Sequence, residues 1–217
     1  MMIYTALGDS ITFGENASSW AKAYPQLTVS ALNARQSGSR KVHGVTLARP
    51  GWTSHRLLEA MIWHGASIIG RSDVVSVWIG GVDLAGAAIT SFATKQPIDE
   101  LIEHYRRNLS AIFKLIKQGS RARIVSCTQY NPFPNSPVAV EGIGRLNGLI
   151  AQLSHQNGVT VAPAHSWFEG KQAALIHGYR TGKIEDALSG RSLPIHPNNR
   201  GHQVIAAGLA PYLIRRR

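Results

Sequence analysis

An α/β fold built on a parallel sheet is predicted by three observations. Short apolar runs rich in β-branched residues recur at 2–7, 42–47, 74–79, 122–128 and 159–162. Amphipathic stretches separate them, near 19–35, 54–64, 97–118 and 140–156, with a last one at 199–214. The runs are nearly continuously hydrophobic rather than alternating, which suits strands covered on both faces. Strand and helix alternating along one chain imply parallel strands joined by right-handed crossovers.

Each element carries its own signal. The first run (Ile3, Tyr4, Ala6, Leu7) breaks abruptly into Gly8-Asp9-Ser10. The second runs out at Arg49-Pro50-Gly51-Trp52, and the third at Gly80-Gly81-Val82-Asp83. The clearest helix starts at Pro97 and stops at Gly119, a first-turn proline and a terminal glycine. Leu101, Tyr105, Leu109, Ile112 and Ile116 line one of its faces at steps of three and four. Asp99, Glu100 and Glu103 crowd its amino end, and Lys114 and Lys117 its carboxyl end, complementing the helix dipole. Residues 163–198 are weakly periodic and contain glycine, and loops of that length are usually functional or disordered. The final helix is preceded by His196-Pro197-Asn198-Asn199-Arg200-Gly201-His202.

At 217 residues, without repeat or linker, the chain is expected to form a single domain over 1–217. No apolar run approaches the roughly 20 residues that span a bilayer. The amino terminus lacks a basic n-region, and Asp9 interrupts any apolar h-region, so a cytoplasmic location is expected. The single cysteine, Cys127, rules out an internal disulfide and a cysteine-based zinc cluster. Lys and Arg number 23 against 12 acidic residues, giving a formal charge of +11. The basic residues are scattered (Arg35, Arg40 and Lys41; Arg106 and Arg107; Lys114 to Arg123; Arg215 to Arg217) and not interleaved with stacking aromatics. A solvated cationic surface is therefore expected rather than a nucleic-acid partner.

Ligands of open parallel sheets bind beyond the carboxyl ends of the strands, so the residues following each run matter most. A nucleophilic serine needs a base, an orienting group for that base and donors for an oxyanion. Ser10 supplies a candidate nucleophile and His196 a candidate base. The N–H groups of Ser10 and Gly51 are candidate donors, since glycine lets backbone approach a substrate closely. Taken singly, Gly-Asp-Ser after a strand reads equally well as an ordinary turn. His202 is a rival base, better suited to a structural position in the first turn of its helix. The other seven histidines form no H-E-x-x-H or similar pair and read as surface or packing residues.

The segments "GDSITFGENA" (8–17), "ARPGWTS" (48–54), "WIGGVDL" (78–84) and "IHPNNRGHQVIA" (195–206) together resemble the four blocks of the SGNH (GDSL) hydrolases. The resemblance is spread over nearly the whole chain. It implies a three-layer α/β/α, flavodoxin-like fold with a five-stranded parallel sheet. It also implies hydrolysis of a small-molecule acyl ester, such as an acetylated carbohydrate or a lipid, through a serine, with no metal or organic cofactor. By position, Ser10 becomes the nucleophile, His196 the base and Gly51 an oxyanion donor.

Two positions depart from that pattern. Val82 stands where the third block carries an asparagine, a side-chain oxyanion donor. Leu193 stands where the last block carries the aspartate that orients the histidine. Loss of one oxyanion donor costs about 10²–10³ in turnover, and loss of a triad acid on the order of 10⁴. Asp186 or Glu185 is a candidate replacement acid, and Asn16 or Asn131 a candidate donor. Asp9 is expected to bond its own turn and Asp73 to lie at the opposite end of the sheet, and the resemblance implies that Asp83 caps the helix that follows it. An alternative follows from the two departures: a catalytically attenuated binding protein on the same fold. Trp78 is expected in the core and Trp63 on a packed helix face, with Trp52 and Trp167 as candidate walls of a pocket.

Overall fold

The computed structural model describes residues 1–35, 41–94, 98–187 and 193–214. In chain order its elements are β1 (Met2–Gly8), α1 (Ser10–Phe13), α2 (Tyr24–Arg35), β2 (Val42–Ala48), α3 (Ser54–Ile69), β3 (Val74–Trp78), α4 (Gly81–Thr94) and α5 (Ile98–Gly119). There follow β4 (Arg123–Cys127), α6 (Pro137–Gln156), β5 (Thr160–Ala162), α7 (Ala164–Phe168), α8 (Gln172–Leu175) and α9 (Asn199–Leu213). Pro97, Arg40, Arg215 to Arg217 and the side chains of Asp99, Glu100 and Leu101 fall outside the described residues.

The five strands pair in parallel in the order β2-β1-β3-β4-β5. Alternation along the central strands sends side chains into two separate cores. Tyr4, Val74, Trp78 and Val125 meet Tyr24 and Leu32 of α2, Phe168 of α7 and Ile205 and Leu209 of α9. Leu7, Val75, Val77 and Ile124 meet Leu57 and Met61 of α3, Leu109 and Phe113 of α5 and Leu146 and Ile150 of α6. Helices thus cover both faces, the three-layer α/β/α arrangement expected. The edge strand β2 departs from continuous burial, with His43 and Gly44 exposed, because no strand flanks its outer side.

Tyr105, Leu109, Ile112 and Ile116 of α5 are buried in the stripe that their spacing predicts. The helix α4 has no counterpart among the amphipathic stretches of the sequence, and only the family resemblance implies a helix after Asp83. Its start at Gly81-Val82-Asp83 reads as loop, and its small apolar residues give weak periodicity. The stretch 163–198 contains α7, α8 and a 3₁₀ turn, Ile184–Ala187. Trp78 is fully buried, as expected, whereas Trp63 is 78% exposed rather than packed. The order places β1 between β2 and β3, so the crossover from β1 to β2 runs one way along the sheet and that from β2 to β3 runs back the other way. The carboxyl ends of β1 and β3 flank that switch point, the position at which open parallel sheets bind ligands.

Candidate active site

Ser10 begins α1 at the carboxyl end of β1. Asp9 caps that helix by accepting from the Ile11 N–H at 3.0 Å, the local turn bond expected of it. Gly8 is required sterically. A Cβ there would lie 2.2 Å from Thr12 Oγ1 and 2.3 Å from the Trp78 carbonyl oxygen. The short helix closes at Gly14, whose φ of +96° is left-handed and whose N–H returns to the carbonyl of Ser10. As the first residue of the helix, Ser10 has no intrahelical acceptor for its N–H.

His196 arrives from the other end of the chain, held by backbone on both sides. Its carbonyl accepts from the His177 N–H at 2.9 Å, and the Tyr130 hydroxyl donates to the carbonyl of Ile195. Two residues on, the Asn198 N–H donates to Leu175, while Asn198 Oδ1 accepts from Gly201 N–H as the cap of α9. These bonds aim the ring at Ser10: His196 Nε2 and Ser10 Oγ are 2.9 Å apart, and both residues are 8% exposed. Burial holds the imidazole below its ordinary pKa, opposed by the Glu15 carboxylate and reinforced by His177. A neutral ring at that distance is able to accept the hydroxyl proton.

Gly51 sits in an exposed turn beyond β2, with φ +75° and open space where a side chain would project. The turn is anchored from the opposite side of β1. Ser54, first residue of α3, donates to Asp83 through its N–H at 2.9 Å and its hydroxyl at 2.6 Å. Asp83 therefore ties down the start of the preceding α3 rather than capping α4, which it enters. Asn108 completes the cluster by donating to Ser54 Oγ. Val82 stands in the first turn of α4 and brings no donor.

The candidate replacement groups lie elsewhere. Asp186 is buried, but its carboxylate accepts from the Thr181 N–H and hydroxyl and the Gly182 N–H. Desolvation opposes its ionisation, yet these bonds and Arg180 hold its pKa below the usual value. Its lone pairs serve its own loop, not His196. Glu185 is exposed beside it. Asn131 Oδ1 accepts from Phe133 N–H in a local turn, and Asn16 adopts a left-handed φ of 62°. Asp73 accepts from Ile3 N–H at the amino end of the sheet. Among the described residues none hydrogen-bonds His196 Nδ1.

His202 is fully buried, with Nδ1 taking the Tyr24 N–H and Nε2 facing the Glu15 carbonyl, each at 3.3 Å. Burial lowers its pKa to about 4, so it is a structural ring. Trp52 packs against the core beside α3. Trp167 covers α9, where a Cβ on Gly208 would come within 2.5 Å of its ring. Glu15, which no motif in the sequence singles out, places its Oε2 3.6 Å from His196 Nε2. The available signal is its place directly after the glycine that turns the chain back from Ser10. Among the described residues there is no cluster of three or more His, Cys, Asp or Glu able to hold a metal. Nor is any helix among them long and apolar enough to cross a membrane.

A family model for the GDSL-like lipase/acylhydrolase family matches residues 6–204. The chain belongs to this family. Its membership makes it an acyl ester hydrolase at the level of the family. It is 22% identical to the spore germination lipase LipC of Bacillus licheniformis, over 95% of this chain and 93% of that protein. The fold is similar to that of the lipase Lip_vut3 from a goat rumen metagenome, with a TM-score of 0.80, 21% identity and 97% of both chains covered. It is also similar to Axe2, an acetylxylan esterase of Geobacillus stearothermophilus, with a TM-score of 0.74 and 16% identity, covering all of this chain and 97% of that one.

Proposed function

We propose that this family member is a single-domain serine esterase or deacylase of small acyl esters, working through a Ser10–His196 dyad. The 2.9 Å contact between Ser10 Oγ and His196 Nε2 carries the reading. His196 removes the hydroxyl proton as Oγ attacks the acyl carbon. The N–H groups of Ser10 and Gly51 stabilise the resulting oxyanion. The tetrahedral intermediate collapses as His196 returns the proton to the leaving alcohol. Water then repeats the cycle on the acyl-enzyme, releasing the acid. Acetylated carbohydrate and lipid esters are the substrate classes favoured, in keeping with the acetylxylan esterase and lipases the chain is similar to.

The test is turnover of p-nitrophenyl acetate by wild type, Ser10→Ala and His196→Ala. Both variants are expected to fall by about 10³-fold or more. An unchanged rate in Ser10→Ala would sink the mechanism. A second reading, an attenuated binding protein, is favoured by Val82 and by the absence of a partner on His196 Nδ1 among the described residues. It requires negligible wild-type turnover and no labelling of Ser10 by a fluorophosphonate.

A further inference from the structure

We propose that Glu15 supplies the negative charge that stabilises His196 when the ring takes the Ser10 proton, a role that rests on the dyad reading above. Among the described residues Glu15 is the one carboxylate within 4.0 Å of the ring, with Oε2 at 3.6 Å from Nε2. Position 193 offers a leucine that is 46% exposed, and Asp186 is occupied by Thr181 and Gly182.

The placement is built, not incidental. The Glu15 N–H donates to the Ser10 carbonyl at 3.0 Å, and its own carbonyl faces His202 Nε2. Left-handed residues flank it, Gly14 at φ +96° and Asn16 at φ 62°. Three residues on, Ser18 and Asn199 exchange two hydrogen bonds of 2.9 Å. Glu15 is thus clamped between α1, which carries Ser10, and α9, which follows His196. Its side chain is 40% exposed while that of His196 is 10% exposed, so the pair meets at the edge of solvent rather than in bulk water.

The geometry is selective for the charged ring. Glu15 addresses Nε2, the same nitrogen that faces Ser10, not the far nitrogen. Before transfer, the Nε2 lone pair points toward a hydroxyl and a carboxylate, and the latter makes the ring a stronger base. After transfer, the new N–H and its positive charge lie beside that carboxylate. The Ser10 O–H bond breaks, the Nε2–H bond forms, and the electron pair of Oγ goes to the acyl carbon. Glu15 takes no proton. An interaction stronger after transfer than before lowers the barrier rather than the Michaelis constant. The 2.9 Å contact to Ser10 against 3.6 Å to Glu15 keeps the resting hydrogen bond on the hydroxyl.

The other titratable groups around the ring act differently. His177, after α8, disfavours its protonation, while His202 on α9 is held neutral by burial. Asp9, before α1, is pushed up by burial first and then by the charges of Asp83 and Glu15. Glu15 is the group that raises the affinity of His196 for a proton.

The experiment pairs pH profiles of kcat/KM on p-nitrophenyl acetate with NMR titration of His196, for wild type, Glu15→Gln and Glu15→Asp. Glu15→Gln is expected to lower kcat/KM about 10- to 100-fold with KM little changed. Its acid limb and its His196 titration should both move to lower pH, and Glu15→Asp should recover part of each. A rate within twofold of wild type overturns the proposal. So does a rate loss that leaves both titrations in place, since that is what mere structural damage produces. The titration needs no turnover. If Ser10→Ala retains activity, the dyad fails while the coupling of Glu15 to His196 is still read directly.

Discussion

Asp9 offers the sharpest energetic test of the site, because it is a carboxyl group 2% exposed beside the proposed nucleophile. Burial first, with the charges of Asp83 and Glu15 adding to it, raises its pKa from 3.8 to about 7. The folded state therefore binds more protons than the unfolded state between those values. Stability contributed by this group is full below pH 3.8 and is lost as pH rises through about 7. About three pH units at 1.36 kcal/mol each set an upper bound of about 4 kcal/mol. Asp9→Asn keeps an oxygen to accept from Ile11 N–H and removes the charge. Relative to wild type it should match at pH 4, gain stability steadily to pH 7 and hold a constant advantage above. Urea unfolding of both proteins from pH 4 to 9 measures the difference. The difference is the quantity to follow, because His202 works in the opposite sense. Its folded pKa of about 4 leaves its contribution intact above 6.5 and removes it as pH falls toward 4. The two slopes largely cancel in the wild type. A flat difference curve, or a loss of stability in Asp9→Asn at pH 8, refutes the argument.

Two further perturbations address the segments around the site. Gly201→Ala would put a Cβ 2.3 Å from the Leu175 carbonyl oxygen and 2.7 Å from Pro197 Cβ, displacing the residues that hold His196. We expect destabilisation of about 1–3 kcal/mol and a fall in kcat of at least about tenfold, read by thermal melts and ester turnover. Val82→Asn, alone and combined with Leu193→Asp, should raise kcat by up to about 10²-fold, the worth of a restored oxyanion donor. No gain from either variant would mean that those two side chains are not what limits the rate.

Much of this protein follows from local pattern. Hydrophobic runs and their spacing located all five strands, since burial on two faces leaves a continuous apolar signature that needs no knowledge of partners. The helix Ser54–Ile69 was visible from its apolar periodicity, though it runs five residues past the expected 64. Ser10 and Gly51 stood out because each follows an abrupt break from apolar pattern into glycine, proline or polar residues, and His196 because it opens the polar run before the final helix. The helix Gly81–Thr94 did not, because small residues after two glycines carry little periodicity.

What local pattern cannot encode is which polar groups face each other across the fold. Asp83 looked like the cap of its own helix, yet it holds Ser54, 29 residues earlier, because β1 brings the ends of β2 and β3 to one edge. Asp186 looked free to approach His196, and the backbone of its own loop claims it instead. Glu15 drew no expectation from its sequence context, and the contacts of its segment with His202 and Asn199 on α9 bring its charge to the ring. His196 lies 186 positions after Ser10, and nothing in the intervening sequence carries a trace of their 2.9 Å contact. Composition and periodicity determined the strands, the layers and the reactive residue types. Only the closing of the sheet, which trades chain entropy for buried surface, decided which of those side chains meet.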